Sequence, residues 1–134
     1  MQLVIDANPF IAGFLRNSTS RKIILSEKVN LCSPSWILEE FKRNESELKS
    51  KFPSSSNFSE TKEILVKFIK ILPGSEYSSF ILEASKLTKH EKDIPYFALA
   101  LHLSCPIWSD EKSFKSQSKI LVYSTVELIK EIDL

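Results

Sequence analysis

With 134 residues, 43% of them hydrophobic and 26% charged, the chain has the composition of a globular protein with material for one sizeable core, and its two glycines exclude a low-complexity tract. A formal charge of +1 excludes a molecule that draws nucleic acid by its overall field, so a polyanionic partner has to be met by a local basic patch. Cys32 and Cys105 stand apart in apolar surroundings without C-x-x-C spacing, which reads as two packed thiols in a reducing compartment and not as a zinc or redox pair.

The elements follow in chain order. The run at 3–5 reads as a buried strand and ends on Asp6, with Asn8 and Pro9 expected to open a helix directly after it. A second strand is expected at 30–33, with Ser33 as helix cap and Pro34 at the first position of the helix PSWILEEFKRNESEL. The serine-rich FPSSSNFS at 52–59 reads as a loop, followed by helical spacing over 60–68, a strand IKIL at 69–72 and a second helical stretch over 75–87. Asp93 precedes IPYFALALHL, where Ile94, Phe97, Ala98 and Leu101 make one core-facing stripe. Strands CPIWS at 105–109 and KILVY at 119–123 come next, and STVE at 124–127 is a capping box that opens a last helix. Alternating strands and helices of this kind define an α/β chain on a parallel sheet, read as a single domain over 1–134. No basic leader precedes Asp6, and IPYFALALHL falls short of the roughly 20 residues of a membrane span, so a cytoplasmic protein without membrane contact is expected.

Carboxylates recur where such sheets build their sites, outside the carboxyl ends of strands. Asp6 ends the first strand and Asp110 and Glu111 follow CPIWS, while Glu39, Glu40 and Asp93 lie at helix starts. Acids converging on one edge repel one another unless a cation reverses the local field. His90 and His102 are not spaced as a metal pair, so the available donors are oxygens, which favour Mg²⁺ or Mn²⁺ over zinc. Such an ion accepts phosphates and suggests phosphodiester hydrolysis by an activated water. Each acid also has an ordinary structural role open to it: a turn for Asp6, an N-cap for Asp93, solvated helix acids for Glu39 and Glu40, and a favourable helix-dipole contact for Asp110 or Glu111. The bases Lys42, Arg43, Lys49, Lys51, Lys112, Lys115 and Lys119 are either a phosphate grip or a solvated face, with Lys42, Arg43 and Lys112 nearest the acids in sequence; Trp36 and Trp108 read as core packing before base stacking.

VIDANPFI, SPSWILEEF, DIPYFALAL and IWSDEKSF, in that order and at these separations, resemble the PIN domain family of ribonucleases, which includes VapC-type toxins of toxin–antitoxin pairs; the second half most resembles a prokaryotic PIN subgroup. The resemblance implies a three-layer α/β/α sandwich with central parallel strand order 3-2-1-4-5. It also implies an acidic pocket for Mg²⁺ or Mn²⁺, cleavage of RNA, a homodimer and an antitoxin partner. Residue by residue, it matches Asp6, Glu40 (preferred to Glu39 because Phe41 follows), Asp93 and the Asp110/Glu111 pair to the family acids. Asp6, Asp93 and that pair would hold metal, and Glu40 would bind a second ion or orient the water. The family pattern Thr-x-Asp-x-x-Phe falls on 109–114 with Glu111 where an Asp is usual, and both acids stay open as the fourth. Ser109 is matched as a hydrogen-bond partner of Asp6 or of the attacking water, and Asn8 as a small polar neighbour of the first acid. A phosphoacceptor receiver domain and a haloacid-dehalogenase-like phosphatase fit less well, since IKIL ends in Pro73 and Gly74 and DANPF lacks a second Asp. The remaining alternative is a PIN-fold module with weak or no catalysis that binds RNA or a partner protein.

Overall fold

In the computed structural model, which describes residues 1–52 and 57–134, the apolar run before Asp6 lies at the centre of a parallel sheet. β1 (Gln2–Ile5) is flanked by β2 (Asn30–Pro34) on one side and β4 (Ile107–Trp108) on the other, with β3 (Ile69–Leu72) and β5 (Val122–Tyr123) at the edges. The order is 3-2-1-4-5 and every pairing is parallel, as expected. Leu3, Val4 and Ile5 are fully buried, the continuous apolar reading of a strand covered on both faces.

The helices form two layers. On one face α1 (Ala7–Leu15) packs on α2 (Thr19–Ile24), α3 (Trp36–Arg43) and α5 (Phe58–Val66), α4 (Glu45–Lys51) continues from α3, and α9 (Thr125–Ile132) meets α2. Phe10, Phe14, Phe41 and Phe58 meet there, mostly edge to face, with centroids 4.9 to 6.0 Å apart. On the other face α8 (Ile94–Leu103) lies over β1, β2 and β4 and is itself covered by α6 (Gly74–Tyr77) and α7 (Ile81–Ser85). That double cover corrects the expected stripe. Tyr96, Phe97, Ala98, Leu99 and Ala100 are all buried, around the whole helix, whereas Ile94 and Leu101 are only partly so.

Several boundaries differ from the sequence reading. Helix α1 begins before Asn8, because the Asp6 carboxylate caps it, and Pro9 falls inside the first turn, where no N–H is required. Ser33 and Pro34 stay in β2, held by pairing with Ile71 and Leu72 and by the Ser35 N–H donating to the Leu72 carbonyl, so α3 starts at Trp36. The ladder between β4 and β5 is only two residues long on each strand, shorter than the apolar runs. The stretch 75–87 is broken by a 3₁₀ turn, Ser78–Phe80, in a serine-rich segment whose hydroxyls compete with helical bonding. Of the loop read at 52–59, residues 53–56 lie outside the described residues, and Phe58 and Ser59 already belong to α5. The capping box at 124–127 is present, and Cys32 and Cys105 are free thiols. Among the described residues no helix is long and apolar enough to cross a membrane.

The chain runs β1, β2, β3 outward and then returns across β1 to β4. The switch point therefore falls between β1 and β4, and the crevice that parallel sheets use for chemistry opens beyond their carboxyl ends. Asp6 and Ser109 are the residues immediately past those two ends.

Candidate active site

Asp6 is only 4% exposed, yet each of its oxygens has a donor: Oδ1 takes the Ala7 N–H at 2.8 Å and Oδ2 takes the Ser109 hydroxyl at 2.7 Å. Adjacent parallel strands deliver both residues, so the contact is fixed by register, Ile5 lying opposite Trp108. Ser109 Oγ in turn accepts from the Glu111 N–H at 3.1 Å, which curls the chain after β4 back toward Asp6.

Asp93 comes from the other helical layer, at the end of a 3₁₀ turn, Glu91–Asp93, that leads into α8. It occupies the cap position with αR backbone angles, φ −90° and ψ −17°, and its side chain makes no capping bond. It is 3% exposed and its Oδ2 is buried with no hydrogen-bond partner among the described residues. An orphaned buried carboxylate oxygen costs free energy unless something outside the described chain meets it. The capping role that the sequence left open for Asp93 does not account for it.

Glu40, half-buried on α3, accepts from the Tyr96 hydroxyl at 2.5 Å, while Glu39 is exposed. Tyr96 follows Asp93 by three residues and so faces the same side of α8. Asp110 turns away. Its carboxylate accepts from both the Thr125 N–H and the Thr125 hydroxyl at 2.6 Å, pinning the first turn of α9, and Thr125 Oγ1 receives the Trp108 indole N–H at 3.0 Å. Its own N–H donates to Asn8 Oδ1 at 3.4 Å, which ties the start of α1 to the loop after β4.

The electrostatics bind four acids into one field. Burial raises Asp6 to about 7, with the charges of Asp93 and Glu111 adding to it and the Ser109 and Ala7 bonds opposing it. Burial likewise raises Asp93 to about 6, helped by Glu111 and Glu40 and opposed by Lys92 and His90. Glu40 is raised by burial and by Glu111 against Tyr96 and Lys92; Trp36 also favours its charged form, although the Trp36 Nε1 makes no hydrogen bond. Tyr96 is pushed far up by burial and by Glu40, Asp6 and Asp93. Asp110 is not among the principal charges felt by any of them. Asp6, Glu40, Asp93 and Glu111 are thus linked through their charges, whereas Asp110 serves α9.

The donor set is all oxygen. Among the described residues no three His, Cys, Asp or Glu side chains close on one point as a ready-made cage. A hydrated hard cation, which keeps several waters and takes one or two carboxylates, suits such a set, and the free Oδ2 of Asp93 gives it a first ligand. The basic residues are dispersed. Arg43 stacks over Trp36, Lys49 and Lys51 pair with Glu45 and Glu47 along α4, Lys115 with Glu127 and Lys119 with Glu83, while Lys42 and Lys112 are exposed. Trp108 is wholly buried, in keeping with packing. Sequence reading missed Tyr96, whose signal was its spacing of three from Asp93, and Lys92 and His90, which precede that acid on the same turn.

An all-parallel α/β sandwich with buried carboxylates beside its switch point places ionisable groups where sheets of this class build their sites. The sequence model of the PIN domain matches residues 4–127, and the chain belongs to the PIN domain family. That match spans β1 to the first turn of α9 and so includes every acid described above. PIN domains are generally nucleases that act on RNA and use divalent metals, and membership assigns nuclease-type function here. No curated protein matches the chain.

Proposed function

We propose that this protein is a metal-dependent endoribonuclease that hydrolyses RNA phosphodiester bonds at the pocket of Asp6, Glu40, Asp93 and Glu111. The observation that carries it is the buried, unpartnered Oδ2 of Asp93 in a field shared with Asp6. Asp6, Asp93 and Glu111 would hold Mg²⁺ or Mn²⁺. When bound, the ion makes water more acidic and offsets the negative charge of the phosphate.

The chain's own groups do the rest. Ser109 and the Ala7 N–H hold Asp6 at a fixed angle, and Tyr96 holds Glu40 by its Oε1, so Glu40 is the positioned acceptor for the proton of the attacking water. Water oxygen bonds to phosphorus as the phosphorus–oxygen ester bond breaks, and the departing ribose oxygen takes a proton. Glu111 is preferred to Asp110 as the fourth acid because both Asp110 oxygens face Thr125. By resemblance to VapC-type proteins, we further propose a homodimer that acts as the toxin of a toxin–antitoxin pair. A second reading, a binding module with little catalysis, draws support from the lack of a closed three-ligand group among the described residues.

Labelled RNA incubated with Mn²⁺ or Mg²⁺ tests both. Cleavage is expected with metal and not with EDTA, and Asp6→Asn or Asp93→Asn should each lower it by about 100-fold or more. Cutting that survives both substitutions would remove this site, and RNA binding without cutting in either metal would leave the binding module.

A further inference from the structure

Next to the acids in sequence, and not lined by them, the molecule carries a half-open cleft of about 390 Å³ between the segment leaving α7 and the 3₁₀ turn Lys112–Ser116. Its lining includes Lys86, Lys89 and His90 on one wall and Ser113 and Ser116 on the other, and it contains no acid. In a chain whose basic and acidic residues number 18 and 17, three bases around one space without a carboxylate is a local concentration that net charge conceals. Among the described residues none of the three bases is in an ion pair, in contrast to Lys115 and Lys119 on the neighbouring loop. Other lining groups are spent on the fold: Thr88 Oγ1 accepts from the His90 N–H at 3.2 Å, and the Gln117 amide donates to the Phe114 and Ile120 carbonyls. The lysines are left facing solvent and the cavity.

Both walls lead along the chain to the buried acids. His90 stands three residues before Asp93 and its charge is felt there, while Ser113 stands two residues after Glu111, the residue bonded to Ser109. A polyanion bound in the cavity would therefore pass its next phosphate to the acids. The volume suits one nucleotide unit and not a duplex.

We propose that this cavity is a phosphate-binding subsite for single-stranded RNA, in which Lys86 and Lys89 grip the backbone beside the bond to be cut. The assignment rests on the proposed function only for RNA as substrate, and its test does not need cleavage. Binding of a fluorescein-labelled single-stranded RNA is measured by anisotropy in EDTA across a salt series, for the unmodified protein, for the Lys86→Gln/Lys89→Gln double variant and for a Lys22→Gln/Lys130→Gln control that removes the same charge from α2 and α9. Each single-strand phosphate contact contributes about 0.7 to the salt slope, so losing two should lower the slope by about 1.4 and weaken binding about tenfold at 0.15 M salt. Lys86→Arg/Lys89→Arg should restore both, and the control should match the unmodified protein.

An unchanged slope and affinity in the Gln double variant would overturn the subsite even if the protein cuts RNA. A duplex RNA bound as tightly, with the same sensitivity to the two lysines, would overturn the single-strand assignment. If the variant loses binding but the unmodified protein never cleaves, the subsite stands and the nuclease reading falls.

Discussion

At the scale of single residues, the protonation of Asp6 has a consequence for stability. Its value of about 7 in the folded protein lies above the ordinary 3.8, so the native state holds this proton more tightly than the unfolded chain does. The stability it contributes is complete below pH 4 and is lost as pH rises through 7; Asp93, at about 6, acts in the same direction. Glu127, held down to about 2 by Lys115 and the capping box, works the opposite way and only below its ordinary 4.5. In EDTA, then, the urea midpoint should fall between pH 4.5 and 7.5, and Asp6→Asn, which removes a buried charge, should make the metal-free protein more stable at pH 7.5 by about 2 kcal/mol. A variant no more stable than the parent would mean that the carboxylate is not strained by its surroundings. Asp110 and Glu111 separate by the same logic. Asp110→Ala should cost about 1 kcal/mol through α9 and leave RNA cleavage standing, whereas Glu111→Ala should lose cleavage with an unchanged melting temperature.

Among the elements, the tightest junction is the one between α1 and α2. A Cβ on Gly13 would stand 2.6 Å from Ile24 Cδ1 and 3.2 Å from the Arg21 backbone nitrogen. The isoleucine tip can move but the backbone cannot, and Arg21 also locks the pair by donating to the Gly13 and Phe14 carbonyls at 2.7 and 2.8 Å. Gly13→Ala should therefore destabilise the protein by about 2 kcal/mol, read as a lower melting temperature, despite alanine's better helix propensity. This junction is invisible in the sequence, because nothing local marks which glycine is approached by another helix. The first three strands were legible, since 3–5, 30–33 and 69–72 are short stretches with buried apolar residues set between segments of helical spacing. The boundaries that moved did so where tertiary pairing outweighed local preference, as when Leu72 drew Pro34 into β2. The acids at strand ends could be read because a parallel sheet puts its site there. Tyr96 was harder to read, because its spacing of three from Asp93 is the one mark that sets it apart in a helix that is apolar throughout.

Taken as a whole, the molecule buries carboxylates that the free chain stabilises by keeping protons, and the cation of the proposed function would offer the alternative. Ion binding and protonation at Asp6 and Asp93 must then compete, so the ion should stabilise the fold more at pH 8 than at pH 5. At a free Mn²⁺ concentration 100 times its dissociation constant the gain is about 2.7 kcal/mol, a shift of several degrees in the melting temperature for a domain of this size. Thermal scans with and without Mn²⁺ at the two pH values, repeated on Asp93→Asn, measure this directly. The substitution alters Asp93 Oδ2, which is buried without a hydrogen-bond partner among the described residues, so it should abolish the metal-dependent shift, while Lys86→Gln/Lys89→Gln, altered only in the neighbouring cavity, should keep it. An equal shift in the Asp93→Asn protein would put the ion elsewhere on the surface, and the carboxylates at the switch point would then need a different partner to account for their burial.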